Sequence, residues 1–279
     1  MVHLKSPQEI AIMAEGGRIL AEILKKLSEA VKPGITTKDL DKLARELVLT
    51  AEAQKKSEDR NLDQSIKPAF LDYGGYPAAV CTSVNDEVVH CVPSERELKE
   101  GEIISLDMGI IYKGFYADAA VTVPVLNQLL EIESPKVDSY KKWAKDNPNL
   151  HKLIEVTREA LNAGIKQAKV GNHVGKIGHA IQTVVEKNGF NIVRDLVGHG
   201  IGRELHEEPQ VPNYGPADAG PKLEAGMVIA IEPMVVAGNW KLVKGKDGFS
   251  YNTADGSPAA HFEHTVAITE DGPQILTIP

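Results

Sequence analysis

The chain has 279 residues, of which 42% are hydrophobic and 25% are charged, proportions that are ordinary for a globular protein. Its net charge of −8 argues against a nucleic acid or an anionic membrane as a partner. No apolar run approaches the roughly 20 residues that cross a bilayer, and no basic and then apolar leader opens the chain. Cys81 and Cys91 are too few for a disulfide framework. We therefore expect a cytoplasmic protein.

Two amphipathic helices are predicted at the start of the chain. Ser6 as N-cap, Pro7 in the first turn and Glu9 closing a capping box mark the beginning of the first helix. An apolar residue every three or four positions then predicts a buried face. A second helix is expected to begin near Thr37, and the polar residues 53–65 are predicted to form a loop.

The rest of the chain alternates between strand-like and helical segments. β-Branched runs separated by turn residues predict strands from Val80 to Val125. The charged residues 127–149 are predicted to form a surface connection. Helical patterns return over 150–169 and 173–187, and strand patterns resume after Asp195. This order of helices, strands, helices and strands predicts an α+β fold and suggests an internal repeat.

Three motifs recur in the second half of the chain in the same order as in the first. The spacing between the copies varies, which implies loop insertions. The matched segments are Lys32-x-Gly34 with Lys169-x-Gly171, Leu98–Asp107 with Leu223–Glu232, and the strand containing Asp118 with the strand containing Glu263. We therefore expect one domain, 1–279, made of two related halves at about 1–135 and 136–279.

Four acids interrupt these apolar strands, namely Asp107, Asp118, Glu232 and Glu263. An isolated buried carboxylate is costly, so each acid must be exposed, form a salt bridge or bind a cation. Few lysines or arginines lie in the same segments, and the repeat would bring the two pairs together at the centre. Four carboxylates so placed suit a site for two divalent cations. His199, in a glycine-rich segment, is either a further ligand or a loop histidine.

The other histidines are weaker candidates when each is taken alone. His264 follows Glu263 directly and is expected on the opposite face of that strand. His261 is interpreted, like most of the remaining histidines, as a surface or core residue. His206 is not part of a His-Glu-x-x-His helix, so the helical zinc-protease motif is absent.

The segments around these acids and histidines match a known family. The chain resembles the type I methionine aminopeptidases, and the resemblance covers essentially everything from Pro7 onward. It rests on Tyr73-Gly-Gly-Tyr-Pro, Cys81-Thr-Ser-Val-Asn-Asp-Glu-Val-Val-His90, Asp107 with Asp118, Gly198-His-Gly-Ile-Gly-Arg-Glu-Leu-His206-Glu-Glu-Pro-Gln-Val, Ile231-Glu-Pro-Met and Phe262-Glu-His-Thr. The resemblance implies the pita-bread fold, in which pseudo-two-fold related halves share a central curved antiparallel sheet covered by helices.

The resemblance also implies two divalent metal ions per chain. Asp118 and Glu263 would bridge both ions, Asp107 would bind one of them, and His199 and Glu232 would bind the other. Oxygen ligands with a single imidazole suit Co²⁺, Mn²⁺ or Fe²⁺, with Zn²⁺ as a further alternative. A hydroxide activated between the two ions would attack the peptide carbonyl.

Catalytic and substrate-binding residues follow from the same resemblance. Glu232 would shuttle the proton, His206 would donate to the carbonyl oxygen, and His90 would assist the departure of the peptide nitrogen. Both histidines would thereby contact the substrate. The implied pocket for the methionine side chain contains Phe70, Tyr73, Tyr76, Cys81, Leu205 and Phe249. Phe70, Leu205 and Phe249 depart from the commoner family pattern, which has cysteine, an aromatic residue and often tryptophan at these positions.

The implied activity is removal of the initiator methionine from nascent polypeptides, whose N-terminal methionine is the substrate. The family expectation is a monomer, and association with the ribosome is left open. One alternative is an Xaa-Pro aminopeptidase or dipeptidase of the same fold. The other is a pita-bread protein that has lost its metals and acts as a binding module. Such modules typically lose ligands and carry basic tails, whereas this chain retains all five ligands and is acidic.

Overall fold

The computed structural model describes residues 2–58, 66–127 and 138–279. The helices of these residues are α1 (Pro7–Ala30), α2 (Thr37–Glu58), α3 (Asp138–Asp146), α4 (Pro148–Ile165) and α5 (Val174–Lys187), with a 3₁₀ turn at Tyr73–Gly75. The strands are β1 (Lys67–Pro68), β2 (Cys81–Val84), β3 (Glu87–Val89), β4 (Ile103–Tyr112), β5 (Phe115–Pro124), β6 (Asn191–Ile192), β7 (Gly198–Gly200), β8 (Glu207–Val211), β9 (Val228–Ile231), β10 (Met234–Val236), β11 (Leu242–Lys244), β12 (Tyr251–Thr253), β13 (Ala259–His261), β14 (Glu263–Thr269) and β15 (Gly272–Ile275).

Helix α1 begins and packs as the sequence predicts. The Ser6 hydroxyl accepts the Glu9 amide, and the Glu9 carboxylate accepts the Ser6 amide, so the capping box is formed. The apolar stripe of the helix is buried, and the helix packs on β4 and β5. A Cβ atom at Gly17 would lie 2.2 Å from the carbonyl oxygen of Leu276. Glycine at this position therefore lets the helix approach the C-terminal segment closely.

Among the described residues, a nine-stranded antiparallel sheet forms the centre of the fold. Its order is β1-β4-β5-β14-β9-β7-β8, and β2 and β15 pair with β4 and β14. Strands β5 and β14, which carry Asp118 and Glu263, lie side by side. Strand β5 also pairs with β4, which carries Asp107. Strand β14 also pairs with β9, and Glu232 directly follows β9. The middle of the sheet therefore collects the four acids.

The alternation of side chains along each strand separates the two faces of the sheet. In β4, Ile104, Leu106, Met108 and Ile110 belong to the main apolar core, to which α1, α2, α4 and α5 also contribute. Asp107 lies between two of these residues and points to the opposite face. One face of the sheet is thus packed with helices, and the acids line the other face.

The repeated motifs make matching backbone hydrogen bonds. The amide of Gly34 donates to the carbonyl of Leu98, and the amide of Gly171 donates to that of Leu223, both at 2.9 Å. Both glycines have positive φ angles, 85° and 83°. The same turn therefore precedes α2 and α5. These contacts support the internal repeat, while the division of one domain into halves at about residue 135 stays a prediction.

The prediction of a loop over residues 53–65 is wrong for its first part, because α2 continues to Glu58. The ammonium group of Lys55 pairs with Glu58 one turn later, at 3.1 Å, and with Glu15 of α1, at 2.9 Å. Such pairs stabilise a polar, exposed helix whose composition resembles that of a loop. Residues 59–65 lie outside the described residues.

The predicted surface connection at residues 127–149 contains a helix with a buried anchor. Trp143 of α3 is only 4% exposed, and its indole N–H donates to the carbonyl of Gly101 at 3.4 Å. The surrounding residues are polar, so the hydrophobic pattern alone does not predict this contact. Residues 128–137 lie outside the described residues.

Two findings bear on the class of protein. None of the helices in the described parts of the chain combines the length and the apolar character that crossing a membrane requires. Cys81 and Cys91 are both buried, and neither forms a disulfide.

Candidate metal centre

The register of the strands brings the predicted acids together. Asp107 of β4 lies opposite Ala120 of β5, and Ala120 in turn lies opposite Glu263 of β14. Asp118 precedes Ala120 by two residues, so its side chain points to the same face. Glu232 directly follows β9, the neighbour of β14 on its other side. Four adjacent strands therefore supply four carboxylates to one face of the sheet.

Within the part of the chain that the structure describes, these carboxylates are largely buried and have no lysine or arginine partner. Asp107, Asp118 and Glu263 are at most 5% exposed, and each has one oxygen without a hydrogen-bond partner. Within the described parts of the chain, the acids come within ion-pair distance only of His199 and His261. Burial raises the pKa of all four carboxyl groups, that of Asp118 to about 7, and mutual repulsion raises the other three further. Such a cluster calls for a bound cation.

His199 is held in the form that binds a metal. It lies between two glycines, where added Cβ atoms would lie 2.4 Å and 2.2 Å from backbone carbonyl oxygens. Its Nδ1–H donates to the carbonyl of Gly200 at 2.8 Å, because a carbonyl can only accept. The Nε2 lone pair is therefore free, and this atom lies 3.6 Å from Oε1 of Glu232. Burial lowers the pKa of His199 to about 4, so the imidazole is neutral at pH 7.

The donor set fits a divalent metal. One ligand atom each from Asp118, His199 and Glu263 lie within 4.8 Å of one another. Asp107 and Glu232 line the same cavity and complete a set of four carboxylates and one neutral imidazole. Oxygen ligands with one nitrogen suit first-row divalent metals. The unpartnered carboxylate oxygens and the free imidazole lone pair are the groups that such an ion would engage.

A cavity of about 240 Å³ opens onto the carboxylates. It is lined by every residue to which the sequence analysis assigned a metal-binding, catalytic or substrate-binding role. These residues are Phe70, Tyr73, Tyr76, Cys81, His90, Asp107, Asp118, His199, Leu205, His206, Glu232, Phe249 and Glu263. Gly74 is a further lining residue that the sequence analysis did not assign. The chain thus brings the whole set together, while the individual roles stay predictions.

Two histidines stand at the exposed side of the cavity. The hydroxyl of Tyr73 lies 2.8 Å from Nδ1 of His206, and the ring of His206 meets that of His199 edge-on at 4.4 Å. His90 follows β3 and has a φ of 57°, a left-handed conformation that is uncommon for a residue with a side chain. Backbone strain of this kind is concentrated at functional sites.

Apolar side chains form another wall of the cavity. Phe70, Tyr76, Cys81 and Leu205 are buried in one cluster, and Phe249 packs against it. The rings of Tyr76 and Phe249 meet edge-on at 5.5 Å, and the Tyr76 hydroxyl donates to a backbone carbonyl at 3.0 Å. Because that hydroxyl is already engaged, Tyr76 contributes an apolar ring to the pocket.

The position of His261 beside the acids was not predicted from the sequence. This residue is 1% exposed, and its Nε2 lies 3.8 Å from Glu232 Oε2 and 4.0 Å from Glu263 Oε2. The signal that could have found it is strand alternation, because His261 precedes Glu263 by two residues and shares its face. His264, the residue after Glu263, lies outside the cavity, as predicted.

Thr265 is a second residue that the sequence analysis missed. Its hydroxyl accepts the backbone amide of Asp118 at 3.0 Å and donates to the carbonyl of the same residue at 2.8 Å. A threonine of β14 thus fixes the backbone of an acid in β5. An isolated threonine in a strand gives no sequence signal for such a contact.

Comparison with known proteins agrees with this fold and site. The sequence pattern of metallopeptidase family M24 matches residues 11–270. Methionine aminopeptidase 1 of Bacillus subtilis is 44% identical over 277 residues, which cover 99% of each chain. The structure is similar to those of methionine aminopeptidases from Rickettsia prowazekii (TM-score 0.86, 33% identity) and Thermotoga maritima (TM-score 0.83, 43% identity), with 100% of both chains covered in each case.

These similarities extend over whole chains and not over single motifs. They confirm the predicted pita-bread architecture and the resemblance stated from the sequence. They also favour that resemblance over an Xaa-Pro peptidase or a binding module without metals. The chain therefore belongs to metallopeptidase family M24.

Proposed function

We propose that the protein removes the N-terminal methionine of nascent polypeptides, as a methionine aminopeptidase that uses two divalent metal ions. The observation that carries the proposal is the convergence of the five predicted ligand side chains on a cavity with an apolar wall. The five predicted ligands suit a metal centre for peptide hydrolysis, and the apolar wall suits a methionine side chain. Full-length relatives named methionine aminopeptidase support this reading.

Asp107, Asp118, His199, Glu232 and Glu263 would hold the metal ions. When bound, such ions supply Lewis acidity and lower the pKa of water so that it attacks a carbonyl near neutral pH. Mn²⁺, Fe²⁺, Co²⁺ and Zn²⁺ are all compatible with one imidazole and four carboxylates. The buried position of the acids strengthens their attraction for a cation, because little water screens the charges.

Glu232 is the carboxylate best placed to move a proton. Its side chain is 14% exposed, whereas that of Glu263 is 3% exposed. A carboxylate that reaches the cavity can take a proton from the attacking water and give it to the departing amine. This role adds to the part of Glu232 as a ligand.

His206 would stabilise the charge that develops on the substrate carbonyl. The hydroxyl of Tyr73 lies 2.8 Å from Nδ1 of His206. We propose that the hydroxyl donates to this nitrogen, which would place the ring proton on Nε2. An Nε2–H aimed into the cavity can donate to the carbonyl oxygen as it gains negative charge. His90, also at the cavity, would contact the peptide nitrogen and assist its departure.

The apolar wall would select the methionine side chain. Methionine is flexible, unbranched and polarizable, so it adapts to aromatic and aliphatic surfaces. Phe70, Tyr76, Cys81, Leu205 and Phe249 provide such surfaces beside the carboxylates. The side chain would therefore be held while the first peptide bond lies over the metal ligands.

Release of methionine from the peptide Met-Ala-Ser tests the proposal. We expect metal-dependent release by the wild-type protein and a rate at least about 100-fold lower in Asp118→Asn. Removing a residue that only hydrogen-bonds to a metal ligand already lowers metal affinity or activity by about 10- to 100-fold, and Asp118 is itself a predicted ligand. The exposed Asp271→Asn is the matched control and should leave the rate unchanged. An equal rate in Asp118→Asn and the wild type would contradict the proposed centre.

Two further measurements separate the alternatives. Cleavage of Gly-Pro or Ala-Pro in place of Met-Ala-Ser would identify an Xaa-Pro peptidase. Metal analysis should find about two divalent ions per chain after reconstitution, and a protein that binds no divalent ion would be identified as a binding module.

We also propose that the protein is a cytoplasmic monomer that meets its substrates at the ribosome. Light scattering tests the monomer, and co-sedimentation with ribosomes tests the association.

A further inference from the structure

His261 is a buried imidazole at the end of β13 and is 1% exposed. Neither its Nδ1 nor its Nε2 forms a hydrogen bond with any residue that the structure describes. Leaving a buried polar group unpaired is costly, because the group loses its hydrogen bonds to water and gains none in the protein. An apolar residue would fill the same place without that cost, so packing alone does not explain a histidine here.

The backbone fixes where this ring lies. The hydroxyl of Thr122 donates to the carbonyl of His261 at 2.8 Å and accepts its amide at 2.8 Å. His261 also pairs with Met234 in the register of β13 and β10. The main chain is thus held from two sides, and the ring has little freedom to move away from the carboxylates.

The ring faces two acids that are predicted metal ligands. Nε2 lies 3.8 Å from Oε2 of Glu232 and 4.0 Å from Oε2 of Glu263. A shift of about 1 Å brings either pair to the usual N–H···O distance. Oε1 of Glu232 is the oxygen nearer His199, and Oε2 is the oxygen nearer His261.

We propose that His261 is a positioning residue, whose Nε2–H donates to Oε2 of Glu232 and so orients this carboxylate for the metal ions and for proton transfer. The inference rests on the proposed function, because it concerns a ligand of the proposed centre. A donor behind a ligating carboxylate fixes its orientation and adjusts its basicity. The imidazole would thus gain its missing partner when the centre is assembled.

Three variants test the inference. His261→Leu removes the donor, whereas His261→Gln retains an N–H at a similar distance from the backbone. His264→Leu is the matched control, since it alters a histidine next to Glu263 that lies outside the cavity. Three quantities are measured for each protein. Calorimetry gives the Mn²⁺ affinity, steady-state kinetics with Met-Ala-Ser give kcat and KM, and thermal unfolding without metal gives the unfolding midpoint.

We expect His261→Leu to bind Mn²⁺ about 10- to 100-fold more weakly and to lose kcat, while KM stays within about twofold. His261→Gln should restore most of both quantities, and His264→Leu should keep wild-type Mn²⁺ affinity. The metal-free His261→Leu protein should unfold no earlier than the wild type, because it loses an unpaired polar group. Wild-type affinity and kcat in His261→Leu would overturn the inference.

Spectroscopy of the wild type provides a second test, in which the His261→Gln variant serves only to assign the signal. In the ¹⁵N-histidine-labelled protein loaded with diamagnetic Zn²⁺, one protected Nε2–H signal should be present that is missing in His261→Gln. Absence of that signal from the loaded wild type would overturn the inference. A wild type that binds no divalent ion would overturn the proposed function itself, whereas equal binding by wild type and His261→Leu overturns only the role of His261.

Discussion

Tyr73, a residue of the predicted methionine pocket, contacts His206, a predicted catalytic residue. Tyr73 belongs to the 3₁₀ turn at one edge of the cavity, and His206 belongs to the loop between β7 and β8. Their 2.8 Å contact joins these segments. In the proposed function the Tyr73 hydroxyl donates to Nδ1 and so keeps the proton of His206 on Nε2, a role that the aromatic ring of Tyr73 cannot fill.

Tyr73→Phe should lower kcat by about 2- to 10-fold, the equivalent of one hydrogen bond, and leave KM nearly unchanged because the ring remains. Steady-state kinetics with Met-Ala-Ser measure both constants. Tyr140→Phe, which removes a hydroxyl on α3, is the control and should leave both constants unchanged. A Tyr73→Phe enzyme with wild-type kcat would show that the hydroxyl does not orient His206.

Proton release on metal binding is a second prediction for individual residues. Burial raises the pKa of Asp118 to about 7, so without metal this carboxyl group is substantially protonated at and below pH 7. A cation must displace that proton, and affinity therefore falls as pH falls through this range. His199 contributes little, since its pKa of about 4 leaves it neutral. Calorimetry in buffers of different ionisation enthalpy should count more protons released at pH 6.5 than at pH 8. Equal counts would contradict the prediction.

The loop that carries His206 is held by the N-terminal segment of the chain. The ammonium group of Lys5 pairs with Oε2 of Glu207 at 2.5 Å, and both side chains are almost fully buried. Oε1 of the same carboxylate accepts the amides of Arg203 and Glu204. One carboxylate therefore connects the N-terminal segment to the turn that positions His206.

Lys5→Met should destabilise the protein by about 3–5 kcal/mol, because it leaves the Glu207 carboxylate buried without its partner. Lys38→Met, in an exposed pair with Glu95, is the matched control and should leave the stability nearly unchanged. Urea unfolding measures both. Hydrogen exchange in Lys5→Met should increase first at residues 202–207. Equal stability losses in the two variants would show that the buried pair has no special role.

Elements that follow from the local sequence pattern could be predicted from the sequence. Elements that depend on single contacts between distant segments could not. The capping box at Ser6 and the strands around Asp107 follow from local rules. The extension of α2 depends on charge pairs such as Lys55 with Glu15, which are far apart in sequence. Helix α3 depends on one tryptophan in a polar segment. The methionine pocket could be assigned only through resemblance, because its residues come from segments that are far apart in the chain.

At the scale of the whole molecule, the internal repeat makes a prediction about two glycines. Gly34 and Gly171 occupy equivalent turns with φ angles of 85° and 83°, and an added Cβ would meet no atom within 4 Å at either position. Alanine would therefore be disfavoured only by its backbone conformation, at about 1–2 kcal/mol.

Gly34→Ala and Gly171→Ala should each lower the free energy of unfolding by that amount and shift one shared transition, if residues 1–279 form a single cooperative domain. Calorimetry and urea unfolding followed by circular dichroism measure this. The asparagine variants at the same positions are the controls and should lose less, because asparagine tolerates positive φ better than alanine. Two separate transitions, with each variant shifting only one, would show that the halves unfold independently.

The adjacency of β5 and β14 also has a consequence for synthesis. Asp118 and Glu263 lie on neighbouring strands but are far apart along the chain. The proposed centre of a copy that is still on the ribosome is incomplete until β14 has emerged and paired. We therefore expect products that stop short of Glu263, and so lack one of the proposed ligands, to show no peptidase activity.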